Sequence, residues 1–504
     1  MTIRLKSMVQ EKEKIFTEVL VIGSGLGGLS SACLLANDGF KVRVVDQNWI
    51  PGGCTTSYWR KGFVFEAGAT TLVGLDQGMP LQVLLKKIGL RLKTRKLDLP
   101  MQVVLADGRV IRKFQAIEEW ITEAEKVFGV KGQRPFWEKC HALSQFVWDQ
   151  SSEQITFPPE KIGDLKNMAF KFPLKETMKA RYALKSVGDL LRQYGLADHQ
   201  AFVAFINEQL LITAQNHAEE VNALFGAAAL CYTNYENHYV DGGLINLVTP
   251  FVNFLEQKGG ALDLRTKVVN IQKNGDYYDV FTTKGEYRCQ FLISGIPLNN
   301  LYEMADRNLR KPIENRRLFS EDLNSAFQMG IGFRSAREFE TLHFQIHLPT
   351  PLPHLNSKSI FISLSHGQDH SRSDQQGCRV MSVSTHLSDP EHNIIENTAE
   401  VENAIVNLLI EQGFFAKEDI VYQHSSTQKS WEKWTGRAYG FVGGYPQMMR
   451  IKPWAMNAAR WDKDRAYLCG DTVYPGQGIP GVVLSGLIAH KKLMDDWASS
   501  REEA

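Results

Sequence analysis

Residues 19–47, VLVIGSGLGGLSSACLLANDGFKVRVVDQ, restrict the fold of this 504-residue chain more than any other stretch. Val19-Leu20-Val21-Ile22 is a continuous apolar run ending in glycine, which suits a short parallel strand buried on both faces. Gly23, Gly25 and Gly28 then take the Gly-x-Gly-x-x-Gly spacing, with Leu26 and Gly27 between them. Gly23 allows the tight turn, Gly25 lets the backbone approach a pyrophosphate, and Gly28 lets helix and strand pack closely. The helix that opens there turns unpaired N–H groups and the positive end of its dipole toward phosphate. Leu29, Ala32, Cys33, Leu35 and Ala36 recur at helical spacing, Asn37-Asp38-Gly39 closes the helix, and residues 41–45 read as a second strand. Asp46 ends that strand, followed by Gln47, where a carboxylate accepts hydrogen bonds from a ribose; a 2′-phosphate would call for arginine instead. Strand, loop, helix, strand and acid together read as the dinucleotide-binding part of a Rossmann-like domain.

Two further segments narrow the dinucleotide to a flavin. Pro51-Gly52-Gly53-Cys54 supplies a second glycine pair directly after the acid. A nicotinamide dehydrogenase has no need of it, whereas a flavoprotein uses it to pass backbone along the flavin side of the pyrophosphate. At the other end, residues 466–486 read AYLCGDTVYPGQGIPGVVLSG. Ala466-Tyr467-Leu468-Cys469 is a short strand ending in Gly470-Asp471, whose carboxylate is placed to accept from a ribityl hydroxyl. The small-residue loop Pro475-Gly476-Gln477-Gly478-Ile479-Pro480-Gly481 suits the edge of an isoalloxazine ring. A helix from about Val482 to Trp497 would aim its N-terminal dipole at the pyrimidine end.

Composition excludes other classes. Lys and Arg total 57 against 56 Asp and Glu, so no global field draws the chain to nucleic acid. Seven scattered cysteines without a Cys-x-x-Cys suit a reduced cytoplasmic protein with no zinc site. Cys469 reads as a small buried residue. The histidines show no metal spacing, no metal is expected, and His366, His370 and His386 read as surface residues. No apolar run is long enough to span a bilayer, and the first 18 residues lack the apolar core of a signal peptide.

The organisation expected is a flavin domain interrupted twice. Its segments are 16–75, 239–299 and 456–500. Between them lie a mainly helical stretch, 76–238, facing substrate or membrane, and an α+β substrate region, 300–455. Residues 97–113 read as a strand pair inside the helical stretch, turning at Ala106-Asp107-Gly108. In the middle segment Gly242-Gly243 precedes a helix, Lys267-Val268-Val269-Asn270-Ile271 reads as a strand, and Asn274-Gly275 as a hairpin turn.

In this order, Gly23 to Gly28, Pro51-Gly52-Gly53, Gly242-Gly243, Lys267 to Ile271 and Gly470-Asp471 through Gly481 resemble the bacterial-type phytoene desaturase branch of FAD-dependent, amine-oxidase-like flavoproteins. That branch holds carotenoid desaturases, carotenoid cis-trans isomerases and retinol saturases. The stretch Trp434 to Gly444, with Gly470-Asp471-Thr472, looks most like the 3,4-desaturases and isomerases. The resemblance implies an α/β fold: a discontinuous Rossmann-like FAD-binding domain carrying an inserted α+β substrate domain. It implies FAD held by Gly23, Gly25, Leu26, Gly27, Gly28, Asp46, Gln47, Gly52, Gly53, Cys54, Val268, Gly470, Asp471, Gly478 and Ile479, with Val268 meeting the adenine through its backbone. Asp46 departs from the commoner Glu, and Cys54 from a small Ser or Ala; both residues fit the cofactor.

The implied reaction is insertion of a C–C double bond into a carotenoid or similar polyene by hydride transfer to flavin N5. Cis-trans isomerisation with reduced FAD, or saturation, are the alternatives. No acid–base residue is assigned, because a proton lost slowly from an extended cation needs none. Tyr439, Phe441 and Tyr445 read either as cavity aromatics or as ordinary core. Oxygen or a quinone is the expected electron acceptor. Residues 166–185, with six basic side chains among apolar ones, suit peripheral contact with an anionic membrane.

Overall fold

The apolar run at Val19 begins earlier than its sequence suggests and forms the strand Lys14–Ile22, central in a seven-stranded sheet. Val42–Val45 pairs parallel on one side and Glu286–Ser294 on the other, so that Val19 lies opposite both Val42 and Phe291. Enclosed on both edges and both faces, Val19, Leu20 and Val21 are fully buried, which is why the run is continuous rather than alternating. Ala261–Asp263 extends the sheet beyond Val42–Val45. Val268–Asn274 and Tyr277–Thr282 fold onto the other side as an antiparallel meander, turning at Gly275. The late strand Ala466–Leu468 pairs parallel with the end of Glu286–Ser294. A sheet begun at residue 14 is thereby completed near residue 468. The structure, a computed structural model, describes residues 14–153, 156–171, 177–462 and 465–502.

Helices Leu26–Asn37, Ile245–Gln257 and Ile479–Glu502 share one apolar core on a face of this sheet. Gly486 lets the first and last of them touch: a β-carbon there would lie 2.5 Å from the Gly27 carbonyl oxygen. The C-terminal helix starts three residues before the expected Val482. Pro480 is tolerated in its first turn because the N–H it lacks would have had no partner there.

The second seven-stranded sheet runs, in spatial order, Ile420–Ser426, Asn324–Arg334, Cys378–Ser388, Ser359–Leu364, His343–His347, Met101–Val104 and Val110–Lys113. Strand alternation splits Asn324–Arg334 between two environments. Phe327, Met329, Ile331 and Phe333 join the core under helix Thr398–Glu411, while Ala326, Gln328 and Gly330 face a cavity. The hairpin read within 97–113 does not stay among the helices around it. Met101–Val104 pairs parallel with His343–His347, Gln102 opposite Phe344, which supplies the third strand that an isolated hairpin lacks. Helices Gln133–Glu153, Gln200–Ala214 and Ala223–Leu230 form a separate layer, packed through Trp137, Phe202 and Phe205.

Candidate active site

The two ends of the chain meet over the carboxyl edge of the first sheet, where open α/β sheets bind their ligands. A groove of about 140 Å³ runs there, lined by Gly23, Gly25, Leu26, Gly27, Asp46, Gln47, Gly52, Gly53, Cys54, Val268, Gly470 and Asp471. Its floor is bare backbone. Gly25 has φ −64°, and nothing lies within 4 Å of where its β-carbon would be. Gly52 N–H donates to the Ser24 carbonyl at 2.9 Å, laying the second glycine pair beside the first. A β-carbon on Gly27 would stand 3.0 Å from the Gly470 nitrogen, so the N- and C-terminal motifs touch main chain to main chain. Gly28 is not on the groove; it lies beneath, where a β-carbon would be 2.2 Å from the Gly23 oxygen.

Asp46 is 9% exposed and ties the loop together. Its Oδ2 accepts from Ser24 N–H and Oγ, both at 2.7 Å, and Oδ1 accepts from Asn48 N–H at 2.8 Å. Oδ1 keeps one acceptor site for a ribose hydroxyl. Gln47, also on the groove lining, donates from Nε2 to the Thr435 carbonyl at 2.6 Å and holds segment 435–437 against the groove.

That segment delivers Arg437, which sequence reasoning passed over. Its Nη2 donates to Asp471 Oδ2 at 2.5 Å, while Nη1 is buried without a hydrogen-bond partner and the side chain lines the groove. Burial works against the Arg437 charge, but Asp471 outweighs it and holds the guanidinium above its ordinary value. The groove thus contains a cation with N–H groups unspent, which fits a diphosphate. Asp471, expected to await a ribityl hydroxyl, already carries an ion pair. Burial pushes the neighbouring Cys54 thiol up, so it stays protonated. Cys469 is likewise buried, its thiol pushed up to about 12.

Gly478 and Ile479 lie further along, in the wall of an adjoining cavity of about 420 Å³. Cys54, Thr55, Asp471 and Val482 border both spaces, so the groove opens into the cavity. The far wall is the second sheet, and Trp148, Ile212 and Phe225 contribute from the helical layer. Glu66 and Asp471 are the acidic residues in this lining, and no Lys or Arg stands with them among the described residues. Neither carboxylate is free: Glu66 accepts from Arg372 at 2.6 Å and from Ser57 Oγ at 2.7 Å. His386, expected on the surface, lines this cavity together with His424, and burial lowers both to about 4, leaving them neutral. Of the three aromatics considered, Tyr445 reaches the cavity. Phe441 is buried in a small core with Leu323 and Met448, and Tyr439 packs against it.

A family model described as flavin containing amine oxidoreductase matches residues 26–491. The chain is 24% identical to prolycopene isomerase 1, chloroplastic, of an Oncidium hybrid cultivar, over 97% of this chain and 85% of that protein. It is 24% identical to phytoene desaturase (neurosporene-forming) of Cereibacter sphaeroides, over 57% of this chain and 54% of that one. A redesigned putrescine oxidase of known structure shares the fold at a TM-score of 0.64 and 14% identity, covering 96% of this chain and all of that one. The family match over residues 26–491 shows that the chain belongs to the flavin containing amine oxidoreductase family and is an FAD-dependent oxidoreductase, and the glycine-floored groove with the Asp46 carboxylate and the buried Arg437 guanidinium on its lining suits that cofactor.

Proposed function

We propose that this oxidoreductase introduces a C–C double bond into a carotenoid-like polyene. One observation carries the reading: the cavity that opens on the cofactor groove holds no uncompensated charge among its described lining residues. A cationic amine would be stripped of water there without a carboxylate to receive it, whereas a hydrocarbon chain is not penalised. The names of the relatives, a prolycopene isomerase and a phytoene desaturase, point to the same substrate class.

The glycine floor, Asp46 and Arg437 would hold the dinucleotide, and the 475–482 loop would border its ring. Bound FAD supplies a two-electron sink, which a saturated C–H bond beside a polyene requires because it offers no acidic proton. The protein's own part is orientation and exclusion of water. The apolar helical layer and the sheet wall would confine the polyene, and Tyr445, in the cavity lining, would offer its ring to developing positive charge. Oxygen or a quinone would then regenerate the oxidised cofactor. Anaerobic mixing of the FAD-loaded protein with a polyene is expected to bleach the flavin as a red-shifted polyene band appears. Turnover without any bleaching sinks the desaturase reading.

The full-length match to prolycopene isomerase favours a second reading, cis-trans isomerisation with reduced FAD. Isomer formation that begins only after dithionite reduction selects it. Peripheral membrane contact through 166–185 is part of the proposal. Residues 172–176 of that stretch lie outside the described residues, but Lys166, Met178, Arg181 and Leu184 are exposed, and so are Ile162 and Leu165 just before it. No helix among the described residues is long and apolar enough to cross a membrane. Charge reversal across 166–185 should abolish sedimentation with anionic vesicles; undiminished binding ends the idea.

A further inference from the structure

Arg437 belongs to neither of the regular elements beside it, helix Gln428–Thr435 and the single turn Ala438–Gly440. Its place on the groove lining therefore depends on contacts from outside its own segment. Gly436 ends the helix in the left-handed region at φ 72°, and a β-carbon there would stand 2.3 Å from Gln47 Nε2, so the chain passes close against the groove. Asn300, in helix Leu298–Met304 and itself on the groove lining, meets this segment on both sides of Arg437. Its Nδ2 donates to the Gly436 carbonyl, and its Oδ1 accepts from Ala438 N–H at 3.3 Å. The N–H between them is taken locally, since Arg437 N–H donates to Thr435 Oγ1 at 3.2 Å. The Arg437 side chain then reaches Asp471, with its guanidinium carbon 4.9 Å from the centroid of the Phe441 ring. Asn299, one residue earlier, serves Tyr445 instead, accepting from its hydroxyl.

We propose that Asn300 is a positioning residue for the cofactor, holding Arg437 at the diphosphate by gripping the peptides on either side of it. The inference rests on the reading that places Arg437 at the dinucleotide. A primary amide suits this place because one planar group carries both a donor and an acceptor. A carboxylate would turn a lone pair toward the Gly436 carbonyl, and a hydrocarbon of the same size would leave that carbonyl and the Ala438 N–H unpaired. The clamp also spares binding an ordering cost. Arginine has many rotamers in solution, and one already held in place loses no further freedom when the diphosphate arrives.

The test is a double-mutant cycle on the FAD dissociation constant, read by flavin fluorescence as cofactor-stripped protein is titrated with FAD. Asn300→Leu is expected to raise the constant at least fivefold when Arg437 is present, and less than threefold when Arg437 is already methionine. General loosening of the fold, or direct contact between Asn300 and FAD, would weaken binding in both backgrounds alike. A rise of threefold or more in the Arg437→Met background therefore overturns the proposal. So does a rise below fivefold in the presence of Arg437. Should Asn300→Leu fail to fold by circular dichroism, Asn300→Ala, which lets water reach the two peptides, is read in the same cycle against the same limits. An Arg437→Met protein that binds FAD like wild type overturns the placement of Arg437 at the dinucleotide, and this proposal with it.

Discussion

Gly25 and Gly28 lie three residues apart in one motif, and the structure gives their replacement by alanine opposite consequences. At Gly25, φ −64° suits any residue, and the position of the new methyl has no heavy atom within 4 Å. Lower entropy of the unfolded chain would stabilise Gly25→Ala by about 0.4–1 kcal/mol. Alanine is a poorer helix N-cap than glycine, at a cost of up to about 1 kcal/mol, which offsets that gain. The cofactor-free protein should therefore melt within about 2 °C of wild type. The methyl does fill the groove floor where a diphosphate must approach backbone N–H groups. Losing one or two hydrogen bonds to a charged ligand costs about 1.5–3 kcal/mol, or roughly 10- to 150-fold in FAD dissociation constant. Gly28→Ala faces a carbonyl oxygen at 2.2 Å and must push helix Leu26–Asn37 off its strand. Such overpacking costs about 1–3 kcal/mol whether or not cofactor is present. Calorimetric melting of the cofactor-free proteins and flavin-fluorescence titration read the two effects separately. Unchanged FAD affinity in a folded Gly25→Ala protein would refute the placement of the diphosphate on this floor.

Arg437→Met should weaken FAD binding by a similar 10- to 100-fold, since a charge-assisted contact is lost. Adding Asp471→Asn should recover thermal stability but not affinity, and an Arg437→Met protein that binds FAD like wild type removes the residue from the site. His386 and His424 should make stability fall in acid. Their folded values near 4 lie below the unfolded value of about 6.5, so the unfolded state binds protons first. Their contribution is complete above pH 6.5 and is lost as pH falls toward 4, by about 3 kcal/mol for each group. Denaturant melts between pH 7 and 4.5 should show the decline, His424→Phe should lessen it, and a flat profile contradicts the burial of these rings. Filling the cavity through Ala228→Trp should abolish polyene binding while sparing FAD affinity, because Ala228 lines the cavity and not the groove. Loss of both ligands would mean that the two spaces are not separable.

How far the sequence could be read depends on how local each determinant is. The turn at Gly23, the open floor at Gly25 and the close packing at Gly28 are set by residues within one strand–loop–helix unit, and Asp46 follows at the end of the next strand. These were legible. The hairpin at 101–113 was legible as strands, but not its membership of the second sheet, because its parallel partner lies at 343–347. Arg437 carried no local signal; its meaning comes from Asp471 beside it and from Gln47 holding its loop. His386 looked like a surface residue in polar text, and the helix ending at Ala214, with Gln215 as its cap, buries it.

By itself the sequence determined the glycine-floored turn between the first strand and the first helix, because backbone conformation and close approach are specified by near neighbours. Only the tertiary structure decided that the space beyond the cofactor would be neutral. The partners that cancel its charges, Arg372 for Glu66 and Arg437 for Asp471, come from distant parts of the chain, and the loss of water that keeps its histidines uncharged exists only once sheet and helices have closed around them.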